Sequence, residues 1–284
     1  MKNFYIIWNP EKQGAKEWSC HVRDYLIAHG AECYVSSGSQ ENRESRHYTD
    51  PSRVPDLVQC VITLGGDGTL IQAARDLAGR NLPLFGINRG TLGYLTQVSG
   101  QEEIYAALDA LLHDEFSLED RMMLRGRIFR QGREEGQDIA LNEIVIARNE
   151  GLGILRFKVY LDGEFLNEYR ADGMIVATPT GSTAYNLSAG GPVLVPSGSM
   201  KVLTPICSHA LSARSIVMSG ESRLRIEALG TGESCQAAVF DGDYTVKMNS
   251  GDFIEIEKSE TKTVLVKLKN LSFLDNLRNK MASI

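Results

Sequence analysis

The sequence predicts two domains of different architecture: a doubly wound α/β sheet up to Phe116 and a mainly antiparallel β domain after it. Three observations lead there. Up to Phe116, short apolar runs alternate with helical patterns. Beyond it, runs alternate apolar with polar residues between turn signals, and helical patterns are few. The length of 284 residues also suggests two domains, at about 100–200 residues each. The expected division is 1–116 for the α/β domain and 117–260 for the β-rich domain. The segment 261–284, with Leu271, Phe273, Leu274 and Leu277, is apolar enough to dock back on the first domain.

In chain order, Phe4–Trp8 reads as a buried strand broken by Asn9-Pro10. Trp18, Val22, Tyr25 and Leu26 recur at helical spacing up to Gly30, a natural helix stop. Ala31–Val35 is the next strand, and the polar stretch 36–56 is expected as a loop. Leu57–Leu64 suits a parallel strand covered on both faces. The cluster Gly65-Gly66-Asp67-Gly68-Thr69 follows at once, and Leu70, Ile71, Ala74, Leu77 and Ala78 then mark a helix face ending near Gly79. Pro83–Asn88 is a further strand, and Ser99 with Glu102 fits a capping box before a helix carrying Ile104, Leu108, Leu111 and Leu112. In the second half, Phe157, Val159 and Leu161 alternate into Asp162-Gly163, the dipeptide suited to a two-residue hairpin turn, and a partner strand runs out through Phe165. Further strands are expected at 139–147, 173–178, 215–218, 223–228, 236–240, 244–248, 253–257 and 262–268.

Composition narrows the function classes. With 43% hydrophobic and 23% charged residues, the chain is an ordinary globular one. A net charge of −6 argues against a nucleic-acid partner held by bulk charge. The longest early apolar run, Phe4 to Trp8, is too short to cross a membrane or serve as an export signal. Five scattered cysteines without a Cys-x-x-Cys pair read as free thiols of a reducing cytoplasm, and the five histidines show no metal-ligand spacing.

Two constellations could carry chemistry. Gly65, Gly66 and Gly68 around Asp67, with the Thr69 hydroxyl, lie between a buried strand and a helix start. Such a turn brings backbone N–H groups close to an anion, and the helix dipole favours it. Asp67 could orient a cation or accept a proton from an attacking hydroxyl; the turn could also simply join strand to helix. Walker A, Gly-x-Gly-x-x-Gly and Gly-x-Ser-x-Gly patterns are absent from the sequence. The second constellation is Asn142-Glu143, Arg170, Asp172-Gly173, and the stretch Thr180 to Ser188. Its hydroxyls, aromatic ring and glycine-permitted turns suit a nucleoside, with Asn142 and an ionised Glu143 bonding vicinal ribose hydroxyls. Each of these residues alone also fits a turn, a cap, a solvated face or the core.

Together the blocks Asn9-Pro10, LGGDGTL (64–70), GINRGTLGYLT (86–96), LNEIV (141–145), RADGMIVATPTGSTAYNLSAGGPVLVP (170–196) and PICSHALSAR (205–214) resemble bacterial-type NAD kinase, in order over roughly residues 1–275. The resemblance implies a Rossmann-like, phosphate-donor first domain and a β-sandwich-like, NAD-binding second domain. It implies transfer of the terminal phosphate of ATP, or of polyphosphate, to the 2′-hydroxyl of the adenosine ribose of NAD, giving NADP, with a divalent cation such as Mg²⁺. Asp67 then looks like the catalytic base, with Gly65, Gly66, Gly68 and Thr69 as the phosphate-donor loop and Asp67 and Gly68 also among the NAD contacts. Asn142 and Glu143 look like the ribose pair, and Arg170, Asp172, Thr183, Ala184, Tyr185, Asn186, Leu187 and Ser188 look like further NAD contacts, some donated across a subunit interface. A homodimer or homotetramer in the cytoplasm is expected, with NAD and ATP as small-molecule partners and no nucleic acid or membrane. The chain departs from the family pattern at Asp243, where a glutamine is common, and at Gly153, where some members place a contacting histidine; His209 reads as structural. Two alternatives share part of the pattern: a diacylglycerol-type lipid kinase with the same glycine turn, and a non-catalytic NAD sensor that would need only residues 142–188.

Overall fold

A computed structural model describes residues 1–38, 48–88, 93–148, 154–210, 212–229, 236–268 and 272–282. Gly153 and part of the loop expected at 36–56 lie outside them. The chain forms two compact units, one of Met1–Arg121 with the stretch from Lys262 onward, the other of Met122–Thr261.

In the first unit, β1 (Asn3–Trp8), α1 (Ala15–Ala28), β2 (Glu32–Ser37), β3 (Cys60–Gly65), α2 (Asp67–Asp76), β4 (Pro83–Asn88) and α3 (Gln101–Leu112) follow one another. The strands pair in parallel in the order β2-β1-β3-β4. Alternate residues Phe4 and Ile6, Ile62 and Leu64, and Phe85 and Ile87 bury one face against Val22 and Leu26 of α1 and Ile104, Leu108 and Leu111 of α3. Helix α2 packs on β3 and β4 through buried Leu70, Ala73 and Ala74. The strand expected over 57–64 is later and shorter, because Val58 closes a turn onto Pro55. Only the glutamate half of a capping box forms, one residue further on than Ser99 and Glu102: Gly100 is the N-cap and has no side chain to accept, and Glu103 accepts the Ser99 and Gly100 amides at 3.2 and 3.3 Å. Glutamates at both 102 and 103 leave the two registers indistinguishable in sequence.

The second unit is antiparallel, as the turn-punctuated pattern predicts. It contains most of β5 (Phe116–Arg130), then β6 (Arg133–Ala140), β7 (Glu143–Arg148), β8 (Leu155–Leu161), β9 (Glu164–Ala171), β10 (Gly173–Ala177), the single turn α4 (Tyr185–Ser188), β11 (Met200–Ile206), β12 (Ile216–Ser219), β13 (Leu224–Leu229), β14 (Gln236–Phe240) and β15 (Tyr244–Met248). Strand β16 (Phe253–Leu268) begins in this unit and ends in the first, and α5 (Phe273–Ala282) follows. One sheet has the order β12-β11-β10-β7-β14-β15. The start of β16 pairs with β13, β13 with β8, and β8 with β9. Ile144, Ile146, Met174, Val176 and Phe240 of the first set meet Phe157, Val159, Leu224, Ile226 and Ile254 of the second in one core, the arrangement of a sandwich.

Several strands escaped the sequence reading. The expectation omits β5 and β6 outside 139–140 because half-buried Arg125 and Arg127 and exposed Glu134 and Glu135 obscure the apolar alternation. The expected 139–147 strand is really two, divided at Leu141-Asn142. Strand β11 contains Lys201 and Pro205, both poor strand signals. Lys201 is fully buried and donates to the Gly220 and Ser222 carbonyls, and burial lowers it to about 8. Strand β12 pairs only with Met200–Leu203, so no ladder on that edge is broken at Pro205. The strands expected at 253–257 and 262–268 are one, since 258–261 holds no Gly, Pro, Asn or Asp to break it.

Phe157 is fully buried in the sandwich core. Phe157→Ala is expected to cost about 3–5 kcal/mol of stability in urea unfolding of the full chain; a loss under about 1 kcal/mol would contradict this packing.

Candidate active site

The glycine cluster is less a turn than the first turn of α2. Gly65 ends β3, Gly66 is the N-cap, and Asp67, Gly68 and Thr69 are already helical. Thr69 is buried, and its Oγ1 accepts a hydrogen bond from Asn9 Nδ2 at 3.0 Å, so the Asn9-Pro10 break after β1 steadies the start of α2. The amides of Asp67 and Gly68 lie where a helix leaves N–H groups without internal partners, and Gly68 is exposed. This end can receive an anion.

Asp67 is held from the segment after β4. Its Oδ1 accepts from Leu95 N (3.2 Å), Thr96 N (3.0 Å) and Thr96 Oγ1 (3.0 Å), while among the described residues Oδ2 accepts only from Tyr94 N, at 2.6 Å. Thr96 Oγ1 is itself steadied by Asn88 Nδ2 and Gly93 N. A side chain at 93 is impossible without displacement, since its Cβ would lie 1.8 Å from Asp67 Oδ1. A carboxylate offers about four acceptor sites, so Oδ2 keeps capacity for a further proton donor.

In the second unit, the segment joining β6 to β7 is clamped on both sides. Asp241, in the β14–β15 turn, accepts from the amides of Leu141 (2.7 Å), Asn142 (2.8 Å) and Glu143 (3.0 Å). Thr178, after β10, donates Oγ1 to the Leu141 carbonyl at 2.6 Å and its amide to the Asn142 carbonyl at 2.8 Å. Gly181 lies so close that a Cβ there would fall 2.1 Å from Asn142 O.

Glu143 is buried, and its Oε2 has no hydrogen-bond partner among the described residues. Burial first, and the neighbouring Asp241 charge second, push its carboxyl up to about 8. The ionised acceptor expected from sequence is therefore a protonated carboxyl at neutral pH, able to donate one hydrogen bond as well as accept. By strand alternation Glu143 shares a face with Val145, the face that packs with Ile175, Ala177 and Leu194.

Of the 183–188 residues, Tyr185, Leu187 and Ser188 are exposed and Thr183 and Ala184 half-buried. Asn186 is fully buried: Nδ2 donates to Ser182 O and Pro192 O, and Oδ1 accepts from Thr204 Oγ1 at 2.7 Å. Its side chain supports the loop and does not reach its surface.

Arg170 and Asp172 are not brought to this cluster. Ala177 pairs with Glu143, while Gly173 pairs with Ala147 at the far end of β10. At a rise of about 3.3 Å per residue, Asp172 lies about 20 Å from Thr178 along the strand. There Asp172 accepts from Arg148 Nη2 at 2.8 Å, and the Arg170 carbonyl accepts from His209 N at 2.9 Å. Asp243 lies one residue past Asp241-Gly242 and donates its amide to Phe240 O. Gly93, Thr178 and Asp241 are not among the expected site residues, although Gly93 and Thr178 lie in the blocks 86–96 and 170–196 and Asp241 opens the turn dipeptide Asp241-Gly242.

Among the described residues, no group of three or more His, Cys, Asp and Glu side chains is placed to hold a metal ion. The donor set therefore does not fit a metal caged by protein ligands. No described helix is long and apolar enough to cross a membrane.

Residues 4–116 match the family model of the ATP-NAD kinase N-terminal domain and residues 141–268 that of the ATP-NAD kinase C-terminal domain. An NAD kinase of Lachnospira eligens is 43% identical over 297 aligned residues, covering 99% of this chain and all of that one. One of Agathobacter rectalis is 40% identical, covering 100% and 99%. The crystal structure of an NAD kinase from Archaeoglobus fulgidus in complex with ATP superposes with a TM-score of 0.77 at 27% identity, covering 99% of each chain. Yeast NADH kinase complexed with NADH shares the fold, with a TM-score of 0.83 at 24% identity over 98% of this chain and 86% of that one.

Because the Glu143 value in the folded chain, about 8, exceeds its ordinary 4.5, its stabilising contribution is full below about pH 4.5 and is lost as pH rises through about 8. Glu143→Gln is expected to flatten the fall in Tm between about pH 5 and pH 8. A fall as steep as in the unmodified chain would show that this carboxyl is not shifted.

Proposed function

We propose, since this chain belongs to the NAD kinase family, that Asp67 takes the proton from the 2′-hydroxyl of the adenosine ribose of NAD as that oxygen attacks the terminal phosphorus of ATP. The activity is that of an NAD kinase, a phosphotransferase with an alcohol group as acceptor and ATP as co-substrate. The new O–P bond forms, the bond to the β-phosphate oxygen breaks, and NADP and ADP leave.

The observation that carries the residue roles is the uneven loading of the Asp67 carboxylate. Oδ1 accepts three hydrogen bonds and Oδ2 one, so Oδ2 is the atom that receives the proton. Fixing the carboxylate by backbone amides holds it in place for the attacking hydroxyl, which suits the loose transition state of phosphoryl transfer. The Gly66–Gly68 end of α2 receives the donor phosphates through its free amides and dipole; Gly65 and the buried Thr69 shape that end. Any divalent cation enters with the triphosphate, as part of the substrate.

Asn142 and Glu143 hydrogen-bond the ribose hydroxyls, with protonated Glu143 both donating and accepting. Thr183, Ala184, Tyr185, Leu187 and Ser188 form the rest of the nucleoside grip, with Asn186 as its internal support. Arg170 and Asp172, about 20 Å away by the strand rise, serve the Asn142 site of a second copy, which makes the working form a homodimer or homotetramer. The free Cys20, Cys33, Cys60 and Cys207 support a cytoplasmic setting. The full-length relatives at 43% and 40% identity favour this reading over a lipid kinase or a non-catalytic sensor.

Asp67→Asn turns an N–H₂ toward the Tyr94 amide; with cooperative unfolding checked, it is expected to lower the rate of NADP formation from NAD, ATP and Mg²⁺ by about 10²–10⁴-fold, and unchanged turnover would remove Asp67 from the chemistry. For the shared site, Asn142→Ala and Arg170→Ala are each expected to be weakly active. Mixing and re-equilibrating the two should restore activity above either alone, whereas no recovery in verified mixed oligomers would place Arg170 outside a shared site.

A further inference from the structure

Asp241 lies in a tight turn about a hundred residues along the chain from Leu141–Glu143, whose three amides its side chain accepts. Its φ is +49° and that of Gly242 is +73°, a left-handed pair that Asp and Gly adopt readily in two-residue hairpins. From there its Oδ2 accepts the Leu141 amide, and its Oδ1 accepts both the Asn142 and the Glu143 amides, at 2.7, 2.8 and 3.0 Å. Its own amide donates to the Glu143 carbonyl at 3.0 Å. With Thr178 holding the Leu141 and Asn142 carbonyls from the other side, each backbone polar group of 141–143 has a named partner. The side-chain amide of Asn142 and the Oε2 of Glu143 make no hydrogen bond among the described residues. The backbone is tied down so that those polar atoms can be presented to something else.

We propose that Asp241 is a positioning residue for NAD binding: by gathering the three amides of Leu141–Glu143 it sets where the Asn142 and Glu143 side chains meet the ribose. The inference rests on the reading above that Asn142 and Glu143 hold NAD. Asp241 touches neither substrate nor reacting atoms. Its effect falls on the acceptor substrate and leaves the donor site at the start of α2 untouched.

The clean substitution is Asp241→Asn. Asn tolerates a left-handed backbone as Asp does, and it is nearly the same size. It keeps one acceptor oxygen for Asn142 and Glu143 but turns an N–H₂ toward the Leu141 amide. In the full chain, with cooperative unfolding checked, Asp241→Asn is expected to raise KM for NAD tenfold or more while KM for ATP stays within about twofold. Asp241→Glu keeps the charge but moves the acceptors by one methylene, and should raise KM for NAD in the same way; it decides the matter if the Asn variant does not fold. A merely structural role would lower stability or the active fraction without separating the two KM values. Asn142→Ala, measured alongside, separates the two inferences. If it raises KM for NAD and the folded Asp241 variant does not, the positioning role is overturned. If Asn142→Ala leaves KM for NAD unchanged, the NAD-site reading falls, and the role of Asp241 with it.

Discussion

Three consecutive backbone amides converging on one carboxylate is the interaction that fixes the candidate functional segment within each unit. Asp67 gathers the amides of Tyr94, Leu95 and Thr96 in the first unit, and Asp241 gathers those of Leu141, Asn142 and Glu143 in the second. Hydrogen bonds to a charged acceptor contribute about 1.5–3 kcal/mol each, and a buried N–H left unpaired costs about 1–3 kcal/mol. Each aspartate therefore fixes a connecting segment, Tyr94–Thr96 after β4 and Leu141–Glu143 where β6 passes into β7. Helix α2 repeats the device at its other end, where Asp76 accepts the amides of Tyr48 and Thr49 at 2.9 and 2.8 Å. One short helix thus anchors two separate loops through its first and last residues.

The two clamps place their aspartates in different chemical positions. At Asp67 the carboxylate is both anchor and reactive group: one oxygen is saturated, the other keeps room for a proton donor, and Gly93 is required so that the segment can close around it. At Asp241 the carboxylate is spent on the backbone, and the groups left open belong to its neighbours. Its charge then acts at a distance on Glu143, whose buried carboxyl is pushed up to about 8. Burial and a like charge act in the same direction there, so a residue that looks like a simple acceptor becomes a donor as well.

Much of the fold was legible because it follows from local periodicity. Phe4–Trp8, Pro83–Asn88 and the hairpin around Asp162-Gly163 appear where apolar alternation and turn dipeptides put them. What was illegible failed for stated reasons. Strands β5 and β6 hide their pattern under charged outward residues, β11 carries a lysine and a proline that tertiary burial and a short neighbour accommodate, and β16 has a polar middle without a turn. The roles within the site were harder still. Asn186 and Thr69 look as available as Tyr185 and Gly68 in a sequence, yet the first two are buried and engaged inside the fold.

Sequence alone determined the class of each domain, the strand–glycine–helix start that carries Asp67, and the set of polar residues from 142 to 188, because apolar period, glycine spacing and residue type are properties of neighbours along the chain. Tertiary structure alone decided which oxygen of Asp67 stays open, that Glu143 holds its proton, that Asn186 faces inward, and that Arg170 and Asp172 stand at the far end of β10. These depend on hydrogen-bond partners and desolvation supplied from 27 to 100 residues away, and no local pattern encodes such partners.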